Sequence, residues 1–463
     1  MSSTTNSARL LHHLRVNGPT RSSDLVAQLG LSRATLSRRV RDLGSAVVVV
    51  GKGRATQLAA RHPDGDPAFP LYRISEPGRA TAVGQLTPIE TGEWFLQSSD
   101  CPPALCHGEF KQGLFPGWPW FLDDLRPAGF LGRAFAKQIA RLLDYDTDPG
   151  RWSDLQVATA LGRFGSKLAG NFILGESALD EFQREKVRIA EGFYRNNTPA
   201  IYPEKAERVL NDGEEFGSSA GGEQPKFTTL VCDTQEAPPR EVIVKFSPPT
   251  DTPAGRRWAD LLWAEHLANQ TLAEYGFVVA RTRVLEYGGR AFLESTRFDR
   301  VNASGRRGVV SLRALDAAYI GQSSENWAVC ARRLHAADLI DANDRDSIVR
   351  LHCFGELIGN SDMHFGNVSF FLPDERPLPL CPIYDMLPMR FRPTAAGEIR
   401  ETKLAPNLPR PENETAWQEM WPAALDYWKR LARSREVSGD FRQIATGAID
   451  ALQRIRTLAT TPN

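Results

Sequence analysis

The segment Leu357-Ile358-Gly359-Asn360-Ser361-Asp362-Met363-His364-Phe365-Gly366-Asn367 sets an aspartate five residues ahead of an asparagine, and Ile383-Tyr384-Asp385 adds a second aspartate eighteen residues beyond Asn367. Phosphoryl transfer to a hydroxyl needs one carboxylate to orient the attacking oxygen and a pair of oxygen ligands to hold Mg2+ against the phosphates. Asp362 suits the first task, and Asn367 with Asp385 the second. To act together the three must converge on one cleft, and that requirement constrains the fold more than any other feature of the chain.

At 463 residues, 41% hydrophobic and 24% charged, the chain is too long for one ordinary core, so two to four domains are expected. No run of eighteen apolar residues occurs, and the start Met1-Ser2-Ser3-Thr4-Thr5-Asn6 lacks the charged and apolar segments of a signal peptide. A cytoplasmic protein without a membrane partner is the expectation. Of six cysteines only Cys101 and Cys106 lie close together, with no second pair to complete a zinc site, so reduced and mostly buried thiols are expected.

The formal net charge of zero conceals an asymmetry: residues 1–62 hold ten Lys or Arg against Asp24 and Asp42, so the remainder carries net −8. Leu10, Leu11, Leu14 and Val16 follow helical spacing, and Asn17-Gly18-Pro19 stops that helix. A second helix is expected from near Thr20, capped by Ser22 or Ser23, with Leu25, Val26 and Leu29 inward and Gly30 at the tight turn. Ser32 is a good N-cap for a third helix over 33–43. Its Leu36, Val40 and Leu43 face inward, which leaves Arg33, Thr35, Ser37, Arg38, Arg39 and Arg41 mostly outside. The polar face resembles a helix-turn-helix recognition helix. The β-branched run Val47-Val48-Val49-Val50, turned back by Gly51-Lys52-Gly53-Arg54, suggests a two-stranded wing with Lys52 and Arg54 at its tip. A helical docking domain with solvated arginines is the alternative; charge, turn chemistry and wing together favour double-stranded DNA as partner.

Beyond the turn-forming residues 62–67, short strands are expected near 70–74, 82–86 and 93–96, in a small β-rich subdomain. The aromatic stretch 114–121 is read as buried against a neighbour. From 131 to about 194 the pattern turns helical, with Phe135, Ile139, Leu142 and Leu143 on one stripe.

Residues 216–226, including Ser218, Ser219, Gly221 and Gly222, form a small-residue loop ahead of the strand-like Phe227-Thr228-Thr229-Leu230-Val231, and such loops let backbone amides approach phosphates. Glu241-Val242-Ile243-Val244-Lys245-Phe246 is a β-branched strand with a lysine near its end, placed to reach α- and β-phosphates. A helix follows over 258–275, on which either Glu265 or Glu274 could face Lys245. A hairpin turning at Tyr287-Gly288-Gly289 then leads to Arg297-Phe298-Asp299-Arg300.

Four blocks in this order, Gly221 to Lys226, Val244-Lys245, Arg297 to Arg300, and Asn360 to Asn367 with Tyr384-Asp385, resemble the HipA-like serine/threonine kinases of bacterial toxin-antitoxin systems over about residues 215–390. The resemblance implies ATP and Mg2+ as cofactors, Asp362 as the base or orienting carboxylate, Asn367 and Asp385 as Mg2+ ligands, and Lys245 as the phosphate contact. It also implies that residues 294–298, from Glu294 to Phe298, lie at the adenine, and that His364 holds the loop. Autophosphorylation would fall on Ser219, or next Ser218, and the added charge would disfavour the closed loop.

The implied fold class is α+β multidomain. It comprises a winged helix-turn-helix over 1–62, a β-rich subdomain over 63–130, a helical segment and nucleotide-binding lobe over 131–310, and an α-helical catalytic lobe over 311–463 whose Trp417, Trp421 and Trp428 are core. Family members usually leave DNA binding to a separate antitoxin, whereas here the DNA reader is expected on the same chain. The implied partners are a protein substrate, such as a translation component, operator DNA and an antitoxin, with a homodimer required for a pseudo-palindromic site. Two other readings are a small-molecule phosphotransferase and a nucleotide-sensing DNA-binding regulator without transfer activity.

Overall fold

A computed structural model describes residues 2–64, 68–99, 102–212, 224–234, 236–322 and 325–460. Ser218, Ser219, Gly221 and Gly222 therefore lie outside the described residues.

Helices Ser2–Asn17, Ser22–Leu29 and Arg33–Leu43 precede an antiparallel pair, Val47–Val50 and Gln57–Ala60, which the short strand Thr20–Arg21 extends. Gly30, at φ 63°, closes the second helix by donating its N–H to the Val26 carbonyl, and Ser32 Oγ opens the third by accepting from Thr35 N at 3.1 Å. Thr20 departs from expectation. It is extended and pairs with Leu58, and Ser22 N donates to Thr56 O at 3.0 Å, so the helix starts at Ser22 without a serine cap. Arg39 departs as well: it is buried and pairs with Asp42 at 3.0 Å. Standing three residues after Leu36, it shares the inward stripe, so it is removed from the candidate DNA contacts. Arg33, Ser37, Arg38, Lys52 and Arg54 are exposed, while Thr35 is half-buried with its hydroxyl bonded to Ser32.

One face of the strand pair, with Val47, Leu58 and Ala60, packs on Leu10, Leu14, Leu25 and Leu36. The other, with Val48, Val50 and Ala59, packs on Ile89 and Phe95 of the next unit. Glu90 N donates to Ala60 O at 2.9 Å and His62 N to Pro88 O at 3.0 Å, so the two units are joined through backbone as well as apolar contact.

That next unit is a five-stranded antiparallel sheet of Phe69–Ile74, Ala80–Pro88, Trp94–Gln97, Leu114–Phe115 and Phe172–Leu174, the last pairing with the first. The sheet thus draws in a strand well beyond residue 130. Phe115, Trp118, Trp120 and Phe121 are buried under it, whereas Leu142 points outward at 70% exposed, off the stripe of Phe135 and Ile139. Cys232, Cys330, Cys353 and Cys381 are free and buried; Cys106 is disulfide-bonded, contrary to the expectation of reduced thiols throughout.

A four-stranded antiparallel sheet of Lys226–Val231, Arg240–Phe246, Thr282–Tyr287 and Arg290–Thr296 follows. Arg240–Phe246 is central between Lys226–Val231 and Arg290–Thr296. The outer hairpin turns at Gly288 and Gly289, both at positive φ, as a tight turn matched to strand twist requires. Helix Tyr202–Asp212 covers one face through Tyr202, and helix Pro253–Glu274 covers the other through Leu262. The rest is mainly helical: Leu312–Tyr319, Trp327–Ala336, Ala342–Ile358, Glu414–Arg433 and Gly439–Thr460, with Trp417, Trp421 and Trp428 in its core.

Candidate active site

Side chains alternate across a strand, so Lys245, Ile243 and Glu241 share the face covered by helix Pro253–Glu274. Lys245 Nζ donates to Glu265 Oε1 and Oε2 at 2.7 and 2.6 Å, and also to Asp385 Oδ1. Burial opposes the Lys245 charge, but Asp385 and Glu265 outweigh it and hold its pKa above the ordinary value. Burial likewise opposes the Asp385 carboxylate, yet Lys245 and then Lys226 keep its pKa low, while burial dominates at Glu265 and raises it. One ammonium thus ties the central strand, the long helix and the Tyr384-Asp385 segment together. Of the two glutamates open in the sequence, Glu265 takes the lysine; Glu274 pairs with Arg430 at the surface.

Helix Ala342–Ile358 ends at Gly359 in the left-handed region, φ 74°, and Asn360 N returns to Gly355 O at 2.8 Å. The chain then runs along the cleft. Asn360 Oδ1 accepts from Asp362 N at 3.0 Å, and its Nδ2 donates to Asp385 O at 3.4 Å, joining the two aspartate segments. Asn367 Nδ2 donates to Asp362 O at 2.8 Å, which orients the amide and leaves its carbonyl oxygen as a ligand-capable acceptor. His364 Nδ1 accepts from Gly366 N at 3.1 Å, and its backbone carbonyl accepts from Trp327 Nε1 at 3.2 Å. That ring braces the loop. Tyr384 OH donates to Gly366 O at 2.8 Å and therefore accepts from Ser369 Oγ at 2.7 Å. Asp385 itself sits at φ 55°, a conformation that Asp tolerates better than most residues and that functional sites retain.

Phe298 is half-buried, its ring centroid 5.7 Å from Tyr384 and 6.1 Å from Phe371, at the junction of sheet and helical lobe. Glu294 is placed differently. It pairs in register with Val244, so its side chain occupies the face opposite Lys245, where it accepts from Arg283 at 2.9 Å and from Tyr202 and pairs with Arg240. The carboxylate is not brought to the Lys245 side. Arg297 and Arg300 are committed to Asp299 and Glu241 in a buried network that also reaches Gly170 N, at 2.8 Å from Asp299 Oδ2. The Arg297 to Arg300 block is therefore a clamp between sheet and middle unit, with Phe298 carried inside it. Lys226 closes the Gly221 to Lys226 block without a role of its own in the sequence reading. It pairs in register with Lys245 and is 2% exposed, and its own strand-start position was the available signal.

Asp362, Asn367, Asp385, Lys245 and Glu265 can together orient a hydroxyl and bind a cation beside an anionic phosphate group. Asn and Asp oxygens on a braced loop suit a hard cation that keeps several waters and phosphate ligands. Among the described residues no cluster of three or more His, Cys, Asp or Glu offers an all-protein metal cage.

A chain of the Shewanella oneidensis MR-1 toxin-antitoxin complex of HipA, HipB and operator DNA has the same fold at TM-score 0.53 and 15% identity, over 85% of this chain and 100% of that one. The Helicobacter pylori proinflammatory kinase CtkA aligns at TM-score 0.35 and 13% identity, over 51% of this chain and 93% of that one, too distantly to argue from. The HipA-like C-terminal domain matches residues 218–455 and the YjjJ-like toxin middle domain residues 65–183. Toxin YjjJ of Escherichia coli strain K12 is 34% identical over 455 residues, 96% of this chain and 97% of that protein. The chain belongs to the HipA-like toxin family. Among the described residues no helix is long and apolar enough to cross a membrane.

Proposed function

We propose that this chain is an ATP- and Mg2+-dependent protein serine/threonine kinase of the HipA toxin type. The observation that carries the reading is Lys245 held at once by Glu265 and Asp385, beside the loop that fixes Asp362 to Asn367. In this reading Lys245 meets the nucleotide phosphates, and Asp362 orients the acceptor hydroxyl and takes up its proton. Asn367 Oδ1 and Asp385 are the residues that would hold Mg2+, which supplies charge neutralisation on the phosphates. Glu265 alone would keep the lysine aimed with Asp385 engaged as a cation ligand. Phe298 lies at the adenine. Gly221 and Gly222, which lie outside the described residues, would offer backbone amides to the phosphates, and Ser219, or next Ser218, would be the autophosphorylated residue.

We further assign residues 1–62 as a winged helix-turn-helix that binds double-stranded DNA, in keeping with the exposed Arg33, Ser37, Arg38, Lys52 and Arg54. The unit packs directly on the middle unit, so operator binding and catalysis share one body, in the cytoplasm. A two-fold operator would be met by a homodimer, with an antitoxin as further partner and a component of translation as protein substrate.

The test is incubation of the purified chain with labelled ATP and Mg2+, comparing wild type, Asp362→Ala and Ser219→Ala, with phosphosite mapping. Label in wild type that is lost in Asp362→Ala is the expected result. Wild type that binds ATP yet labels neither itself nor a lysate would overturn the reading.

A further inference from the structure

A cavity of about 440 Å3 opens between the middle unit and the edge of the four-stranded sheet, walled in part by Ser166, Lys167, Lys186, Thr229, Arg300 and Arg306. Neither Lys245, Glu265, Asp362, Asn367 nor Asp385 lines it. Its size suits a small ligand.

Among the described residues the charges beside this cavity do not balance. Three guanidinium groups, of Arg297, Arg300 and Arg306, face two carboxylates, of Glu241 and Asp299. Arg297 and Arg300 take both carboxylates, at 2.7 to 2.9 Å. Arg306 has neither. It is 6% exposed, Nη2 donates to Ser166 O, and the guanidinium lies 4.8 Å over the Phe182 ring. Its Nη1 has no hydrogen-bond partner among the described residues. Burial first, and Arg300 next, press its pKa well below the ordinary range, against the weaker opposing pull of Glu241 and Asp299, whose hydrogen bonds go to Arg297 and Arg300. Lys186 donates to Gly78 O at 2.9 Å, Lys167 approaches Glu185 at 3.5 Å, and Lys205 lines the cavity as well, so among the described residues the wall carries three more cations and one further carboxylate. On the opposite side of the ledger of polar groups, Gln138 also lines the cavity, and its buried Oε1 lacks a donor among the described residues.

We propose that this cavity binds a small phosphate ester. Arg306, Lys167 and Lys186 would receive its phosphoryl group, and a hydroxyl of the ester would donate to Gln138 Oε1. A dianion answers the excess of cations, and guanidinium is the group that best matches phosphate oxygens in a desolvated site. A hydroxyl answers the orphaned acceptor. The site is separate from the Lys245 triad and stands independently of the kinase reading.

Calorimetric titration of the full chain with ribose 5-phosphate and with inorganic phosphate tests it. Saturable binding of both is expected, the ester more tightly. Arg306→Met and Lys186→Glu should each weaken both ligands by about tenfold or more. Gln138→Leu should weaken the ester alone. Should Arg306→Met fail to fold, Lys186→Glu and Gln138→Leu decide the matter, since neither removes a buried charged group. Absence of saturable binding by either probe overturns the proposal. So does binding kept at full strength in Arg306→Met and Lys186→Glu, which would put the anion elsewhere.

Discussion

Lys245 and Glu265 stand twenty residues apart in the chain, yet the lysine ammonium contacts both carboxylate oxygens, at 2.7 and 2.6 Å, in a buried site. The strand and the helix are thereby locked in one orientation, with Asp385 as third member. Lys245→Met leaves two buried carboxylates without their cation, so a stability loss of about 3 to 5 kcal/mol is expected in denaturant unfolding. Phosphate transfer should fall by about a hundredfold or more, because a preorganised charge at the phosphates is removed. Glu265→Gln keeps shape and one hydrogen bond. It should retain most of the stability while still lowering transfer, and the contrast separates aiming of the lysine from its mere presence.

Arg33 and Arg38 are exposed on one helix while Arg39, next in sequence, is buried against Asp42. Arg33→Ala and Arg38→Ala should weaken DNA binding and each lower the slope of log affinity against log salt by about one, read by fluorescence anisotropy. Arg39→Ala should instead lower the melting temperature of the chain, with the salt slope unchanged. Equal slope changes for all three would place Arg39 at the DNA after all.

The residues whose chemistry declares itself in sequence were legible there. Asp362, Asn367 and Asp385 stand in order and spacing, and Lys245 ends a β-branched run. What sequence left open was which face of an element meets which neighbour. A helix bearing both Glu265 and Glu274 does not say which carboxylate meets the sheet until packing orients it. Arg39 looked exposed because it is charged, although its position three residues after Leu36 lies on the inward stripe. Strand Phe172–Leu174 is too short to announce itself between two helices, and it is fixed only by pairing with a partner about a hundred residues earlier. Glu294 stands in the segment that the resemblance assigns to the adenine, but the two-residue period of its strand turns the side chain away from Lys245.

His352, buried in helix Ala342–Ile358, has its pKa lowered to about 4, by burial first and then by Arg410 and Arg332. A histidine depressed in the folded chain takes up its proton first in the unfolded chain. Its contribution is complete above about pH 6.5 and is lost as pH falls toward 4, by up to about 3 kcal/mol. The measurement is unfolding free energy from pH 7 to 4.5 for wild type and His352→Gln. The variant should lose less stability over that window, and parallel curves would mean that His352 is not the group responsible.

Glu294 decides between two uses of one carboxylate. It is 2% exposed and satisfied by Arg283, Arg240 and Tyr202 on the face away from Lys245, so its energy belongs to the sheet and to helix Tyr202–Asp212. Glu294→Gln removes the charge but not the shape and leaves the two guanidinium groups short of a partner. Asp233, 2.9 Å from Arg240 and 3.2 Å from Arg283, compensates them in part. A stability loss of about 2 kcal/mol is therefore expected. Nucleotide affinity, measured by titration with an ATP analogue, should change by less than about threefold, because no atom of this carboxylate reaches the cleft. Unchanged stability with a tenfold loss of nucleotide affinity would reverse the assignment and return Glu294 to the adenine.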